Sequence, residues 1–175
     1  SRLSEAWYFF PLAIASSFFP SLFKSRGVSL YKYNKNLQDL SDFLFCCAGM
    51  LAIAVSFYGE ILVEFLYGKE YLTASTILVV HIWAGIFVFM RALFSKWLLI
   101  EGLAIFSFVT HGAGALTNVV LNIILIPEYQ GLGAAYATVI SYAFASYVAL
   151  FFHRTTRPMA WIMTKSMLSP LRLML

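Results

Sequence analysis

The chain has 175 residues, of which 61% are hydrophobic and 11% are charged, and its mean hydropathy is +0.81. Globular domains usually carry about 25% charged residues, so this composition excludes a water-soluble fold for most of the chain and predicts a lipid environment. The net charge of +4 does not indicate nucleic acid binding, because the basic residues cluster between apolar runs, as the positive-inside rule predicts for membrane proteins.

Five apolar segments are long enough, or nearly long enough, to cross a bilayer as α-helices, which takes roughly 20 residues. We therefore predict an all-α, multi-pass membrane protein. Its spans would cover approximately residues 6–23, 43–66, 73–100, 104–126 and 132–152 of a transmembrane lobe that occupies residues 1–152. A polar connection at 24–42 and short turns would join them. Pro11 and Pro20 predict kinks in the first span, since each removes a backbone donor.

The Lys and Arg residues predict how these spans are oriented. Four of them lie in the connection 24–42 and four in the tail 153–175, whereas the connection 67–72 holds one and the turn 127–131 holds none. Four predicted crossings separate the two basic regions, so both lie on one side, which the positive-inside rule assigns to the cytoplasm. The C-terminus is therefore expected to be cytoplasmic. In the tail, basic residues alternate with apolar ones such as Trp161, which predicts an amphipathic segment on the inner leaflet.

Arg91 is the basic residue predicted to lie deepest in the membrane. It precedes the end of the third span by about nine residues, or roughly 13 Å, in a hydrocarbon core of about 30 Å. An Arg at this depth costs about 2.5–3.5 kcal/mol, so it should face a bundle interior or a wet cavity. There it could bind an anion such as phosphate, or pair with a carboxylate from a helix outside this sequence. A helix end displaced from residue 100 would change this depth.

The fourth predicted span carries a polar stripe. Its members recur at intervals of three or four residues, which places them on one helix face; they are Ser107, His111, Gly114, Asn118 and Asn122. Such residues usually bond to neighbouring helices, but they could instead line a path for a polar substrate. In that interpretation His111, Asn118 and Asn122 would bind substrate together with Arg91. Lys96 is a further candidate, although it can extend to the headgroups. His111 could also titrate in proton coupling.

Two carboxylates suggest a second, separate site. Glu60 and Glu64 lie one helical turn apart near the outer end of the second span. They are interpreted either as solvated interface residues or as an ion-coupling site for a cation or proton.

The remaining small and reactive side chains predict packing rather than chemistry. Gly133, Ala137, Ser141 and Ala145 recur every four residues, which is typical of close helix contact. Cys46 and Cys47 are adjacent in an apolar run and have no metal-ligand spacing. The sequence contains no Gly-rich phosphate loop and no GxSxG or HExxH motif. It therefore predicts neither an enzyme nor a bound metal or cofactor.

Three stretches carry a family resemblance: RLSEAWYFFPLAIASSFFP at 2–20, FLYGKEYLTAS at 65–75, and NIILIPEYQGLGAAYATVISY at 122–142. In these stretches the chain resembles the C-terminal part of a Wzx-type polysaccharide flippase of the multidrug/oligosaccharidyl-lipid/polysaccharide exporter superfamily. The LIPxxxGxGAAxAT pattern is the most specific of the three. Because the chain opens at Ser1 without a signal-peptide pattern, we expect it to be a piece of a longer membrane protein.

The resemblance implies that the five segments are the last spans of a twelve-helix transporter, in which they form most of the second six-helix lobe. Such proteins move undecaprenyl-pyrophosphate-linked oligosaccharides across the bacterial inner membrane for polysaccharide or O-antigen synthesis. The implied partners are the lipid bilayer, the lipid-linked substrate, the N-terminal lobe, and a polysaccharide polymerase and ligase. Alternatives are a drug/cation antiporter of the same fold, which would favour acidic intramembrane residues, and a membrane glycan polymerase or ligase, which needs a large outer loop.

Overall fold

The computed structural model describes residues 6–169, and all regular elements in this range are helical, as the sequence predicted. The α-helices are α1 (Phe9–Val28), α2 (Leu30–Tyr67), α3 (Thr73–Ile82), α4 (Ala84–Ile100), α5 (Ala104–Ser146) and α6 (Arg157–Met167). Short 3-10 helices lie at Ala6–Tyr8, Lys69–Tyr71 and Val148–Phe151. The first residues of the lobe and the end of the predicted tail, including Arg172, lie outside the described residues.

Within residues 6–169, three helical stretches are long and apolar enough to cross a membrane. They are Leu30–Tyr67, Ala74–Ile100 and Ala104–Phe151. Helix α1, which contains most of the first predicted span, is not among them, because its Pro, Ser and basic residues lower its mean hydropathy.

The polar stretch 24–42 is helical, so our prediction of a connecting loop was wrong. Helix α1 continues to Val28, and α2 begins at Leu30 and runs for 38 residues. Ser29 separates them with an extended backbone, and its hydroxyl accepts a hydrogen bond from the Lys32 amide as an N-cap. Mean hydropathy does not reveal this helix, because polar residues surround its buried positions. The buried residues recur at helical spacing; they are Tyr33, Leu37, Leu40 and Leu44.

The third predicted span, 73–100, is divided between α3 and α4. Trp83 joins them with helical backbone angles, and its amide donates to the Val80 carbonyl three residues earlier. The join is therefore a local 3-10 tightening rather than a change of direction. Helix α4 ends at Ile100, where the sequence predicted the end of the span.

Helix α5 contains the predicted turn 127–131 and doubles back there. Gln130 has φ 50° and ψ −126°, which interrupts the helix and divides it into two arms, 104–129 and 131–146. The arms run antiparallel, because a Cβ atom added to Gly114 would lie 2.6 Å from the Ala145 Cβ, and one on Gly133 would collide with the Leu125 carbonyl. The predicted chain reversal is confirmed, and the small-residue face predicted from 133 to 145 is buried.

The largest core cluster joins α1, α2, α4 and α6. Met159, Ala160 and Met163 of α6 are fully buried in it. The apolar face of α6, which we expected to lie on the inner leaflet, is therefore covered by protein. An amphipathic pattern cannot distinguish these environments, since lipid and a protein core are equally apolar.

Candidate functional site

Arg91 is the centre of the candidate site, and three hydrogen bonds hold it to both arms of α5. Its side chain is 7% exposed. Nη1 donates to the Thr110 hydroxyl at 2.8 Å and to the Ala145 carbonyl at 3.1 Å, and Nη2 donates to the Ser107 carbonyl at 3.2 Å. Thr110 is itself held by a bond from its hydroxyl to the Phe106 carbonyl. The guanidinium is therefore fixed in position by acceptors that are all neutral.

The charge of Arg91 has no carboxylate partner within residues 6–169. Its buried Nε also has no hydrogen-bond acceptor in this part of the chain. The guanidinium carbon lies 5.0 Å from the centre of the Phe94 ring, a cation–π contact that offsets only part of the desolvation cost. A buried cation with neutral neighbours and an unused donor is costly, and an anionic group from outside the described residues would lower that cost.

A cavity of about 350 Å³ lies beside Arg91, between α4 and the two arms of α5. This volume is within the range of about 300–1,000 Å³ that is usual for small-molecule sites. Besides Arg91, its polar lining comes from His111 and Asn118 on the first arm and from Thr138, Ser141, Tyr142 and Ser146 on the second. His111 is exposed, so the cavity opens to the surface of the described residues. The cavity thus combines one fixed cation with several hydrogen-bonding groups.

The structure brings together three of the predicted substrate-binding residues, Arg91, His111 and Asn118. Asn122 lies one turn further along and donates to the Asn118 side-chain oxygen at 2.8 Å. Its own side-chain oxygen is buried and has no donor among the described residues. Within the stripe, Gly114 packs against Ala145 of the second arm, whereas His111 and Asn118 line the cavity.

The other predicted site residues do not line this cavity. Lys96 is half-buried, and its Nζ lies 5.6 Å from the centre of the Phe19 ring. Glu60 and Glu64 are exposed on α2, and Glu64 lies 3.6 Å from the Lys69 amine. Among residues 6–169, no group of three His, Cys, Asp or Glu side chains could hold a metal ion.

Several residues that build the site were not predicted from the sequence. Thr110 follows Ser107 by three residues and precedes Gly114 by four, so it belongs to the polar stripe by its spacing. Thr138 and Tyr142 are four residues apart on the second arm and face the stripe across the cavity. Ser141 was assigned to packing alone, and it does donate to the Ala137 carbonyl at 2.6 Å, but it also lines the cavity.

No protein-family model, curated protein or solved structure matches this chain. A proposal for its function therefore depends on the site's geometry and on the residues that carry the family resemblance.

Proposed function

We propose that the chain belongs to the second lobe of a flippase that moves undecaprenyl-pyrophosphate-linked oligosaccharides across the bacterial inner membrane. The observation that carries this proposal is Arg91, a buried cation that has no carboxylate partner within residues 6–169 and lies beside a polar cavity. The resemblance to Wzx-type flippases supplies the substrate class. Arg suits a pyrophosphate because its planar donors match phosphate oxygens.

Five crossings account for the contacts at the two ends of the helices. Arg26, in the last turn of α1, donates hydrogen bonds to Glu101, directly after α4, so these two helix ends lie together. Gly131, in the hairpin turn, lies against Ile77 near the start of α3, so these lie together at the other end. This arrangement follows if α1, α2, α3 with α4, and each arm of α5 cross the membrane once. The basic end is then cytoplasmic by the positive-inside rule.

The cavity offers different groups to the two parts of such a substrate, the anionic headgroup and the sugars. The bonds of Arg91 to Thr110, Ala145 and Ser107 use Nη1 and Nη2, and its buried Nε has no acceptor among residues 6–169, so the anionic headgroup would supply the missing acceptor. The side chains of His111, Asn118 and Tyr142 offer hydrogen bonds to sugar hydroxyls. Transport would proceed by alternating access, with this lobe moving against the N-terminal lobe around the cavity.

The test is Arg91→Ala in the full-length protein, with Arg26→Ala as a control. Arg91→Ala should abolish surface glycan while protein abundance stays near normal, because the substrate anion loses its binding group. Arg26→Ala removes the same charge from an exposed ion pair and should leave surface glycan near the wild-type amount. Collapse of protein abundance in Arg91→Ala alone would instead identify Arg91 as half of a structural pair.

An antiporter for cationic drugs is the weaker alternative of the same fold. A cation site needs carboxylates, and no Asp or Glu of residues 6–169 lines the cavity. Glu60 and Glu64, the candidate ion-coupling residues, lie on a different helix and are exposed. The charge of the cavity therefore favours an anionic substrate.

A further inference from the structure

Helix α6 has two faces of different chemistry. One face packs on the protein, where Met159, Ala160, Met163 and Ser166 are fully buried. Polar contacts hold this face to α2, since Gln38 donates to the Ser166 hydroxyl at 3.0 Å and Ser166 donates to the Ser41 hydroxyl at 2.8 Å. The helix is thus fixed in place by its inner face.

The outward face of α6 is basic and aromatic. Its exposed residues recur at intervals of four, four and three, which places them on a single ridge; they are Arg157, Trp161, Lys165 and Leu168. Arg154 and Phe152 precede the helix and are also exposed. We call these six residues the outer ridge.

Two members of the outer ridge are held by contacts with the backbone and core. Arg157 donates through Nε to the Phe151 carbonyl at 3.0 Å, which leaves its terminal nitrogens for other acceptors. Trp161 packs edge-on against the Phe151 ring, with 6.0 Å between the ring centres. The Arg157 guanidinium and the Trp161 indole are therefore held in position before any ligand binds.

The ridge has positive charge with little acidic compensation. No Asp or Glu follows Glu128 in the sequence. Asp42 of α2 accepts a hydrogen bond from Gln38 at 2.7 Å, and Gln38, also on α2, contacts the buried face of α6 through Ser166. The exposed side of the helix thus presents Arg154 and Arg157 beside large apolar side chains.

We propose that the outer ridge binds the headgroups of anionic phospholipids at the membrane surface. The Arg side chains match lipid phosphates, and Trp161, Phe152 and Leu168 match the boundary between headgroups and acyl chains, where aromatic residues concentrate. Basic residues beside an anionic leaflet each strengthen binding by roughly fivefold. The ridge shares no residue with the lining of the cavity, and its proposed ligand does not depend on the transported substrate.

The test compares phosphatidylglycerol with phosphatidylcholine as added lipids for the detergent-solubilised full-length protein. Lipid retention is measured by native mass spectrometry, and the thermal midpoint is measured in parallel. The wild type should retain more phosphatidylglycerol and gain stability from it alone. Arg154→Ala with Arg157→Ala should reduce that preference roughly twentyfold. Arg157→Lys, which keeps the charge, should retain it.

The matched control is Lys32→Ala with Lys35→Ala, which removes two exposed charges from α2. This variant should keep the wild-type preference for phosphatidylglycerol. Equal loss in both double variants would overturn the proposal in favour of a general effect of net charge. An unchanged preference in the Arg154/Arg157 variant, with its thermal midpoint intact, would also overturn it and leave the ridge to a different partner, such as an acidic protein.

Discussion

Arg26 and Arg91 lie on α1 and α4, two helices that pack against each other, but their surroundings differ in kind. Arg26 is exposed and forms two hydrogen bonds with the Glu101 carboxylate, at 3.0 and 3.2 Å. Hydrogen bonding with Glu101 raises the pKa of Arg26 above its ordinary value. Arg91 is buried and has only neutral acceptors, on Ser107, Thr110 and Ala145.

Arg26 therefore has its charge balanced by a carboxylate, whereas Arg91 does not within residues 6–169. The Arg26–Glu101 pair is neutral as a unit and ties two helix ends together at the basic end of the protein. Arg91 keeps its full charge next to a cavity, although burial makes that charge costly. A bound anion would offset that cost, which is why the functional proposal depends on Arg91 and not on Arg26.

The largest expected effect on stability tests the packing of the two α5 arms, which brings the three acceptors of Arg91 together. Gly114→Ala brings a Cβ atom within 2.6 Å of the Ala145 Cβ, so the arms must separate and the Ala145 carbonyl moves away from Arg91. We expect a loss of about 2–3 kcal/mol in the free energy of unfolding, the upper part of the range for overpacking. Equilibrium unfolding in detergent measures it.

Gly112→Ala is the matched control on the same arm. A Cβ atom there meets no other atom within 4 Å, so the substitution should stabilise the helix by about 0.5–1 kcal/mol. If both substitutions gave the same sign, the close approach of the two arms would be refuted.

The next effect concerns the bond between Thr110 and Arg91. Thr110→Val keeps the side-chain shape but removes an acceptor from a buried cation, which should cost about 1.5 kcal/mol. Thr117→Val is the control, because among the described residues the Thr117 hydroxyl bonds only to the Ala113 carbonyl of its own helix. It should cost less than about 0.5 kcal/mol, as helical backbone already provides that acceptor. Equal costs for the two substitutions would mean that the hydrogen bond from Arg91 to Thr110 adds no measurable stability.

The smallest effect is expected for the ion pair between Arg26 and Glu101. Glu101→Gln leaves the exposed Arg26 in water, where ion pairs contribute little. The thermal midpoint and the surface glycan should both stay at wild-type values, and the result should not depend on salt. A large loss of glycan would place the functional charge at this end of the protein and would contradict the contrast with Arg91.

Parts of the fold followed directly from the sequence. The break at Pro127–Gly131, the small-residue spacing from Gly133 to Ala145 and the end of α4 at Ile100 were predicted because turn residues and helical periodicity act locally. The helix across 24–42 was missed, since its buried face lies among polar residues. The position of α6 was missed because a tertiary contact with α2 decided it.

The polar stripe and Arg91 could be predicted from the sequence, but the residues of the second arm that line the cavity could not. Arg91, His111 and Asn118 are conspicuous because polar residues are rare in apolar segments. Thr138 and Tyr142 are not conspicuous, and only the antiparallel packing of the arms brings them to the cavity. Lys96 carries the same charge as Arg91, yet it lies by Phe19, away from the cavity. Sequence spacing could not separate these two residues.

The most direct test of the proposed flippase is to find where lipid-linked oligosaccharide accumulates in cells that lack the full-length gene. A glycan probe that cannot pass the inner membrane distinguishes the two leaflets. The account predicts accumulation on the cytoplasmic leaflet together with loss of surface polysaccharide, and the same result in cells that carry Arg91→Ala. Accumulation on the outer leaflet would contradict it, because flipping would then be complete and the missing step would be polymerisation or ligation.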